Sequence, residues 1–310
     1  MRSGRVRRER APAKVNLGLR IVGRRADGYH LLDSLFAPLE GGELEDEVEL
    51  VLRETPGVTL EVDGGGVGVP TDATNLAHRA AAGFLARQRS ESPMPGAAIR
   101  LRKRIPSGAG LGGGSSDAGA VLRGLAHLLP EAVPAGELAS LALSLGADVP
   151  FFLAAATARV RGIGERLDPA PALPELFLAV LVPPVSLATA AVYGAFAAAG
   201  GALTHPGAAS TIRAPWGSGA DFERENLAER LHNDLEAAAT ALCPAIGDLR
   251  RLLSEAGAAG AGMTGSGAAV YGVFEEEGER DSVFDQLQLP PATRKYRARV
   301  SATIGAAPVR

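Results

Sequence analysis

Apolar and polar residues alternate along residues 14–21, and a repeat of two is the period of an extended strand. The apolar face of this strand carries Val15, Leu17, Leu19 and Ile21. The opposite face carries Lys14 and Asn16, whose side chains would lie next to each other. The pattern therefore predicts a strand with a polar face that holds a lysine and an amide side by side.

Further strands and helices are predicted along the chain without strict alternation. Apolar runs favour strands at 47–53, 58–62, 97–102, 176–182 and 268–274. Apolar residues at helical spacing favour helices at 75–88, 118–129, 137–145, 189–198, 226–242 and 246–256, with Asn75 as the cap of the first. Because the two kinds of element are mixed irregularly, the chain is typical of an α+β fold rather than a doubly wound sheet.

Two segments are predicted to lie outside these elements. Residues 200–219 are rich in glycine, alanine, serine and proline, which is typical of a mobile surface connection. Residues 1–10 carry a local excess of arginine without the apolar core of a secretion signal. We expect this N-terminus to be a solvated tail; a nucleic-acid-binding arm and a transit-peptide remnant are the alternatives.

The composition is that of an ordinary soluble protein: 46% of the 310 residues are hydrophobic and 22% are charged, and the length suffices for two modest domains. The formal net charge of −3 gives no general attraction to nucleic acid or to an anionic membrane, so we expect neither as a partner. The most apolar stretch, 177–199, is interrupted by Pro183 and Pro184. A single cysteine, Cys243, cannot form an internal disulfide, which favours a cytoplasmic location.

A glycine-rich segment between a predicted strand and a predicted helix is the strongest candidate for a binding site. Its sequence is Pro106-Ser-Gly-Ala-Gly-Leu-Gly-Gly-Gly-Ser-Ser-Asp117. Glycines let the backbone turn sharply and approach an anion, and the start of a helix adds partial positive charge. A flexible connection is the alternative, but the apolar Leu111 and the well-patterned helix that follows argue against it. We therefore predict a phosphate-binding loop.

The loop does not match two common nucleotide motifs. It is not a Walker A loop, because no lysine precedes the paired hydroxyls of Ser115 and Ser116. It is not a dinucleotide fingerprint either, because it lies far from the N-terminus and lacks the required acidic residue. Arg102, Lys103 and Arg104, which stand directly before the loop, either contact a nucleotide or face water.

Three further motifs accompany the loop. They are Pro12-Ala-Lys-Val-Asn-Leu17 with Arg25-Ala-Asp-Gly-Tyr-His-Leu31, then Leu145-Gly-Ala-Asp-Val-Pro-Phe151, then Met263-Thr-Gly-Ser-Gly-Ala268. With the loop they cover the chain from about residue 11 to 275 and resemble the motifs of the GHMP kinases, which include homoserine and mevalonate kinases. The resemblance implies two domains of α+β type, at 1–170 and 171–310, with the active site in the cleft between. The first would be ribosomal-protein-S5-domain-2-like, the second ferredoxin-like.

The resemblance also implies roles for individual residues. ATP would be bound by the loop residues Pro106, Ser107, Gly108, Ala109, Gly110, Leu111, Gly112, Gly113, Gly114, Ser115 and Ser116. Asp148 would be the catalytic base, and Lys14 would keep it ionised and favour the charge that develops during phosphoryl transfer. From the residues alone, Asp148 would be a turn-former and Lys14 a solvated charge. For the segment 264–267 we expect mainly a structural glycine turn.

The pair Tyr29 and His30 narrows the choice of the molecule that accepts the phosphoryl group. By the resemblance, this pair indicates a cytidine diphosphate-linked methylerythritol, phosphorylated on its 2-hydroxyl in the non-mevalonate route to isopentenyl diphosphate. Asn16, Tyr29, His30, Thr189 and Tyr193 would bind it, with Tyr29 stacked on the cytosine ring. The alternatives are a mevalonate or homoserine kinase and a catalytically inactive nucleotide-binding relative. Tyr29 and His30 favour the cytidine-linked acceptor over the first, and retention of Lys14 and Asp148 argues against the second.

No metal-binding pattern is found among the five histidines, which are scattered, so we predict no zinc site and assign no dedicated metal ligands. Mg²⁺ is expected because ATP carries it, and Ser115 or Ser116 could help to hold it. The oligomeric state is expected to be a monomer or a homodimer.

Overall fold

The computed structural model describes residues 5–65, 68–88, 96–130, 133–170, 173–201 and 230–301. Most of the surface connection predicted at 200–219 lies outside these ranges, as do the first four residues of the helix predicted at 226–242. No helix in the described ranges combines the length and the apolar character that crossing a membrane requires.

The strands are β1 (Val6–Pro12), β2 (Lys14–Arg24), β3 (His30–Pro38), β4 (Glu45–Arg53), β5 (Val58–Gly64), β6 (Gly96–Lys103), β7 (Ala158–Gly162), β8 (Arg166–Pro169), β9 (Leu176–Val182), β10 (Gly260–Met263), β11 (Val270–Phe274) and β12 (Arg294–Val300). The helices are α1 (Leu76–Leu85), α2 (Gly113–Leu128), α3 (Ala135–Leu145), α4 (Val149–Ala154), α5 (Thr189–Ala198), α6 (Glu236–Leu242), α7 (Ala245–Glu255) and α8 (Glu277–Gln286).

The chain divides into two compact units that interleave along the sequence. Unit 1 comprises Met1–Ala13, Glu45–Ser107 and Gly112–Ala155, and unit 2 comprises Lys14–Leu44, Gly108–Leu111 and Ala156–Arg310. The domain boundary that we placed at residue 170 stays a prediction.

Unit 1 is a four-stranded sheet with helices packed on one face. The strand order is β1-β4-β6-β5, in which only the β5–β6 pair is parallel. Apolar side chains of the sheet, such as Leu50 and Ile99, join a core with Phe84 of α1 and Val121 of α2. This core fixes the start of α2 relative to the end of β6, which are the two elements that flank the glycine loop.

Unit 2 contains two further four-stranded sheets, of order β2-β3-β7-β8 and β10-β11-β9-β12. All of their strand pairs are antiparallel. The β2–β3 register shifts between Asn16 and Leu19, which marks a bulge. The bulge interrupts the strict alternation that the sequence suggests, and the first six residues of β2 are all buried.

Several predicted elements are confirmed. Helix α5 has the predicted bounds, and α1 is capped by Asn75, whose side chain accepts the Ala77 N–H at 2.9 Å. Helix α2 starts at Gly113, five residues earlier than predicted, directly after Gly112, which has a left-handed conformation with φ of 74°. Ser115 and Ser116 therefore lie inside the first turn of α2.

Two predictions are corrected. The arginine-rich N-terminus is not a solvated tail from residue 6 onward, because β1 pairs with β4 and its arginines reach acidic partners, as in Arg8–Glu49 at 2.8 Å. The second correction concerns the helix predicted at 226–242. Residues 231–235 are not helical, and the helix begins at Glu236. The side chain of Asn233 accepts the Leu235 N–H and holds the chain in a turn before the helix.

Candidate active site

The glycine loop is held by backbone contacts that glycine makes possible. Gly110 has φ of 77°, and a Cβ atom at this position would lie 2.3 Å from the Thr264 carbonyl oxygen. The Ala109 carbonyl accepts the Ala269 N–H at 3.1 Å, and the Leu111 carbonyl accepts the Lys14 N–H at 3.0 Å. The middle of the loop therefore lies against both β2 and the late glycine turn at 264–267.

The two loop serines have different surroundings. Ser116 is buried, and its hydroxyl donates to the Pro12 carbonyl at 2.7 Å. Ser115 is partly exposed. Of the two hydroxyls, that of Ser115 is thus the more accessible to a phosphate, while Ser116 fastens the first turn of α2 to β1.

Lys14 and Asn16 are next to each other, as the alternation predicts, but the face that carries them is buried. Lys14 is 3% exposed and Asn16 is 1% exposed. The Lys14 ammonium donates to Asn16 Oδ1 at 2.5 Å and lies 4.8 Å from the centre of the Phe36 ring. A buried ammonium requires such compensation, so Asn16 has a direct part in holding the Lys14 side chain in its orientation.

Asn16 is itself fixed on every side. Its N–H donates to the Thr264 hydroxyl at 3.1 Å, and that hydroxyl also lies 3.2 Å from Asn16 Oδ1 and 3.3 Å from the Gly110 carbonyl. Asn16 Nδ2 donates to the Ser34 hydroxyl at 2.9 Å, and the Tyr271 hydroxyl donates to the Asn16 carbonyl at 2.6 Å. This burial favours a positioning role for Asn16, and the substrate contact that we predicted for it stays a prediction.

Three residues of this network were not indicated by the sequence: Ser34, Tyr271 and Asn233. Tyr271 is fully buried, and burial raises the pKa of its hydroxyl well above the ordinary range, which keeps it a hydrogen-bond donor. Asn233 Nδ2 donates to the carbonyls of Met263 at 2.9 Å and Gly265 at 2.8 Å, which supports the late glycine turn. The turn thus joins Asn16 and the glycine loop, in addition to the structural role that we predicted.

An aromatic group contains two of the predicted substrate residues. The His30 ring stacks on Tyr193 with ring centres 5.0 Å apart, and Phe196 meets His30 edge-on at 5.9 Å. Burial, and next the charge of Arg24, lower the pKa of His30, so its ring is neutral at pH 7. Tyr29 is 62% exposed, and Thr189, at the start of α5, lies 3.0 Å from Ser266 between hydroxyl oxygens. Phe196 has no distinguishing pattern in the alanine-rich helix and was missed.

Asp148 stands at the N-cap position of α4, a helix that was missed because it has only six residues. Pro150 is tolerated there because the first N–H groups of a helix have no partner within it. Asp148 belongs to unit 1 and Lys14 to unit 2, and a pairing of the two stays a prediction.

The sequence left open whether Lys103 contacts a nucleotide or faces water. In the structure it does neither, because its ammonium is engaged by two buried carboxyl groups. Its ammonium donates to Asp117 Oδ2 at 2.6 Å and to Asp46 Oδ2, and all three side chains are buried. Burial raises the pKa of Asp117 to about 8: the Lys103 charge opposes this shift and the Asp46 charge adds to it. Burial lowers the pKa of Lys103, but the two carboxylates outweigh it and raise that pKa.

Comparison with known proteins defines the class. The chain matches the family models of the GHMP kinases N terminal domain over residues 75–156 and of the GHMP kinases C terminal domain over 220–291. A homoserine kinase from Cytophaga hutchinsonii superposes with a TM-score of 0.71 at 19% identity, over 96% of this chain and 95% of that one, which shows a shared fold. The predicted α+β GHMP kinase fold is thereby confirmed.

The particular family follows from relatives of higher identity. The chain is 42% identical over 267 residues to the 4-diphosphocytidyl-2-C-methyl-D-erythritol kinase of Desulfotalea psychrophila, with 86% of this chain and 85% of that protein covered. A crystal structure of 4-(cytidine 5'-diphospho)-2C-methyl-D-erythritol kinase superposes with a TM-score of 0.72 at 36% identity, over 96% of this chain and all of that one. The chain belongs to the 4-diphosphocytidyl-2-C-methyl-D-erythritol kinase family.

Replacing Tyr271 by phenylalanine tests the support beneath Asn16. The variant loses one hydroxyl and leaves the Asn16 carbonyl buried without that donor, so we expect the free energy of unfolding to fall by about 1–3 kcal/mol. Tyr296→Phe, on β12 of the same sheet and only partly buried, is the control and should change it by less than about 0.5 kcal/mol. If urea unfolding gives the same loss of free energy of unfolding for both variants, the Tyr271 hydroxyl makes no particular contribution to stability.

Replacing Asp117 by asparagine tests its raised pKa. A carboxyl group whose pKa is raised on folding stabilises the fold fully at a pH below its unfolded pKa, near 3.8, and that contribution is lost as the pH rises through about 8. Since asparagine does not titrate, the melting temperature of Asp117→Asn relative to the native chain should rise from pH 5 to pH 8 and then level off. Parallel melting curves across this range would mean that Asp117 is ionised throughout.

Proposed function

We propose that this chain transfers the γ-phosphoryl group of ATP to the 2-hydroxyl of 4-diphosphocytidyl-2-C-methyl-D-erythritol, which gives the 2-phosphate and ADP. The reaction belongs to the non-mevalonate route to isopentenyl diphosphate. The observation that carries the proposal is the 42% identity, over 86% of the chain, to a kinase named for that substrate. The organised surroundings of Lys14 and the aromatic group around His30 support it.

ATP is bound, in this proposal, by the glycine loop 106–116. Backbone N–H groups at the start of α2 converge on the phosphates, and the helix dipole favours their negative charge. In the described residues no group of three or more His, Cys, Asp or Glu side chains is placed to hold a metal ion. In this proposal the Mg²⁺ ion that ATP carries would be held mainly by the phosphate oxygens, with the partly exposed Ser115 hydroxyl as a protein ligand, and would neutralise developing charge.

Phosphoryl transfer needs an oriented hydroxyl, a proton acceptor and compensation of charge. Asp148 accepts the proton of the 2-hydroxyl as that oxygen attacks the γ-phosphorus, and the bond to the ADP oxygen breaks. Lys14, a compact cation held by Asn16, compensates the negative charge on the phosphoryl oxygens.

The cytidine end of the acceptor is bound by the aromatic group together with Tyr29. Tyr29 and Tyr193 offer ring faces to the cytosine, and stacking of this kind is worth about 1–3 kcal/mol per base. The neutral His30 ring has one N–H donor and one nitrogen acceptor, and both suit the edge of a cytosine. Thr189 would bind from the start of α5.

The proposal extends to the setting of the enzyme. It acts on a small molecule, without a nucleic-acid or membrane partner, in the cytoplasm, as a monomer or homodimer. The net charge of −3 supports the absence of a nucleic-acid or membrane partner, and the single, buried Cys243 supports the cytoplasmic location.

An acceptor comparison tests the substrate. ADP formation from Mg²⁺-ATP is measured with the cytidylyl methylerythritol compound, mevalonate and homoserine in parallel. We expect turnover with the first and none above background with the others, because only the first carries a base for the aromatic group. Turnover of mevalonate or homoserine, with none of the cytidylyl compound, would overturn the proposal.

Replacing Asp148 by asparagine tests the base. The variant keeps the shape of the side chain but cannot accept the proton, so kcat should fall by about 10²–10⁴ while the Kd for ADP, from calorimetry, stays within about twofold. Asp168→Asn, which neutralises a carboxylate paired with Arg161 on another strand, is the control and should keep full activity. A fully active Asp148→Asn enzyme would exclude this role.

A further inference from the structure

Asp46 is a fully buried carboxylate at the start of β4 that the proposed mechanism does not use. Its Oδ1 atom accepts two backbone N–H groups, of Arg104 at 2.5 Å and of Ile105 at 2.9 Å. Its Oδ2 atom accepts the Lys103 ammonium. Both oxygens are therefore committed to the short segment 103–105 that leads from β6 into the glycine loop.

The same ammonium connects Asp46 to the far end of the loop. Lys103 Nζ lies 2.6 Å from Asp117 Oδ2, and Asp117 is the fifth residue of α2. A Cβ atom on Gly113, the first residue of α2, would lie only 3.3 Å from this ammonium. The contacts Ile105–Asp46–Lys103–Asp117 thus bracket residues 106–116, the complete loop.

A loop of this composition needs such a clamp to bind tightly. Five of its eleven residues are glycine, which loses more conformational freedom on ordering than any other residue. If the loop were ordered only when a phosphate arrived, that cost would be subtracted from the affinity, whereas a loop ordered beforehand avoids it. The clamp is well suited to this, since breaking a buried ion cluster is unfavourable.

We infer that Asp46 is a positioning residue for nucleotide binding: it fixes both ends of the glycine loop so that the loop N–H groups face the phosphates before ATP arrives. The inference rests on the proposed function to the extent that the loop binds ATP. Asp46 reaches the nucleotide only through Lys103, the backbone at 104–105, and Asp117. The competing explanation is a buried ion cluster that stabilises unit 1 without any effect on the loop.

Asp46→Asn separates the two explanations. Asparagine keeps an oxygen for the two backbone N–H groups but presents an amide N–H₂ to the Lys103 ammonium. We expect the Kd for ADP and the KM for ATP to rise about tenfold or more, while kcat at saturating ATP and the KM for the cytidylyl acceptor change less than about threefold. If the cluster is merely structural, Asp46→Asn should lower the melting temperature without a selective rise in the Kd for ADP and the KM for ATP.

Asp33→Asn is the matched control. It removes the buried partner of another ion pair, with the partly exposed Arg159 at 2.5 Å, in unit 2. This variant should lose thermal stability and keep the native Kd for ADP. If Asp46→Asn binds ADP as tightly as Asp33→Asn does, the inference is wrong.

A second variant covers the case in which Asp46→Asn does not fold. In Asp46→Asn/Lys103→Gln the ammonium and the Asp46 charge are removed together, and Asp117, whose pKa burial raises to about 8, is left as a neutral carboxyl group. We expect it to fold and still to bind ADP about tenfold more weakly; native affinity would overturn the inference. Since ADP binding needs no acceptor, a native enzyme that binds ADP but phosphorylates no cytidylyl compound would refute the acceptor assignment and leave this test intact.

Discussion

Lys14 is only 3% exposed, so its ammonium must be compensated inside the protein, and the hydrogen bonds around Asn16 meet that requirement. Asn16 Oδ1 provides the compensation. An amide can swing to bring either its oxygen or its nitrogen forward, so the neighbours of Asn16 decide which atom faces Lys14. The Ser34 hydroxyl accepts a hydrogen bond from Asn16 Nδ2, so Asn16 Oδ1 faces the Lys14 ammonium.

The need to fix Asn16 beside Lys14 also explains why the glycine loop lies against the late glycine turn at 264–267. Thr264 reaches Asn16 and the Gly110 carbonyl with one hydroxyl group, and this is possible only because the loop backbone approaches the late turn without a Cβ atom between them. The loop that would hold the phosphates and the lysine that would face them are thus positioned by one set of hydrogen bonds. Displacing the turn would therefore disturb both.

Local patterns in the sequence identify the loop and the Lys14–Asn16 pair, because both depend on residues close together along the chain. The partners of Asn16 are different: Thr264 and Tyr271 are about 250 residues away, and nothing in their own neighbourhoods indicates a contact with β2. Asp46 was not predicted for the same reason, since its hydrogen-bond donors lie 57–59 positions further along the chain. Strand β1 was mistaken for a tail because its arginines face acidic residues of β4, which a single strand does not reveal.

Substrate identity must be decided by side chains rather than by the fold. The chain superposes on a homoserine kinase and on a cytidylyl-methylerythritol kinase with TM-scores of 0.71 and 0.72, so backbone geometry hardly distinguishes them, whereas identities of 19% and 36% do. The aromatic group illustrates how: His30 comes from β3, while Tyr193 and Phe196 come from α5. Such a group can change with a few substitutions while the buried network around Asn16 stays in place. In the proposed function, recognition of the acceptor by this group is separate from the machinery of phosphoryl transfer.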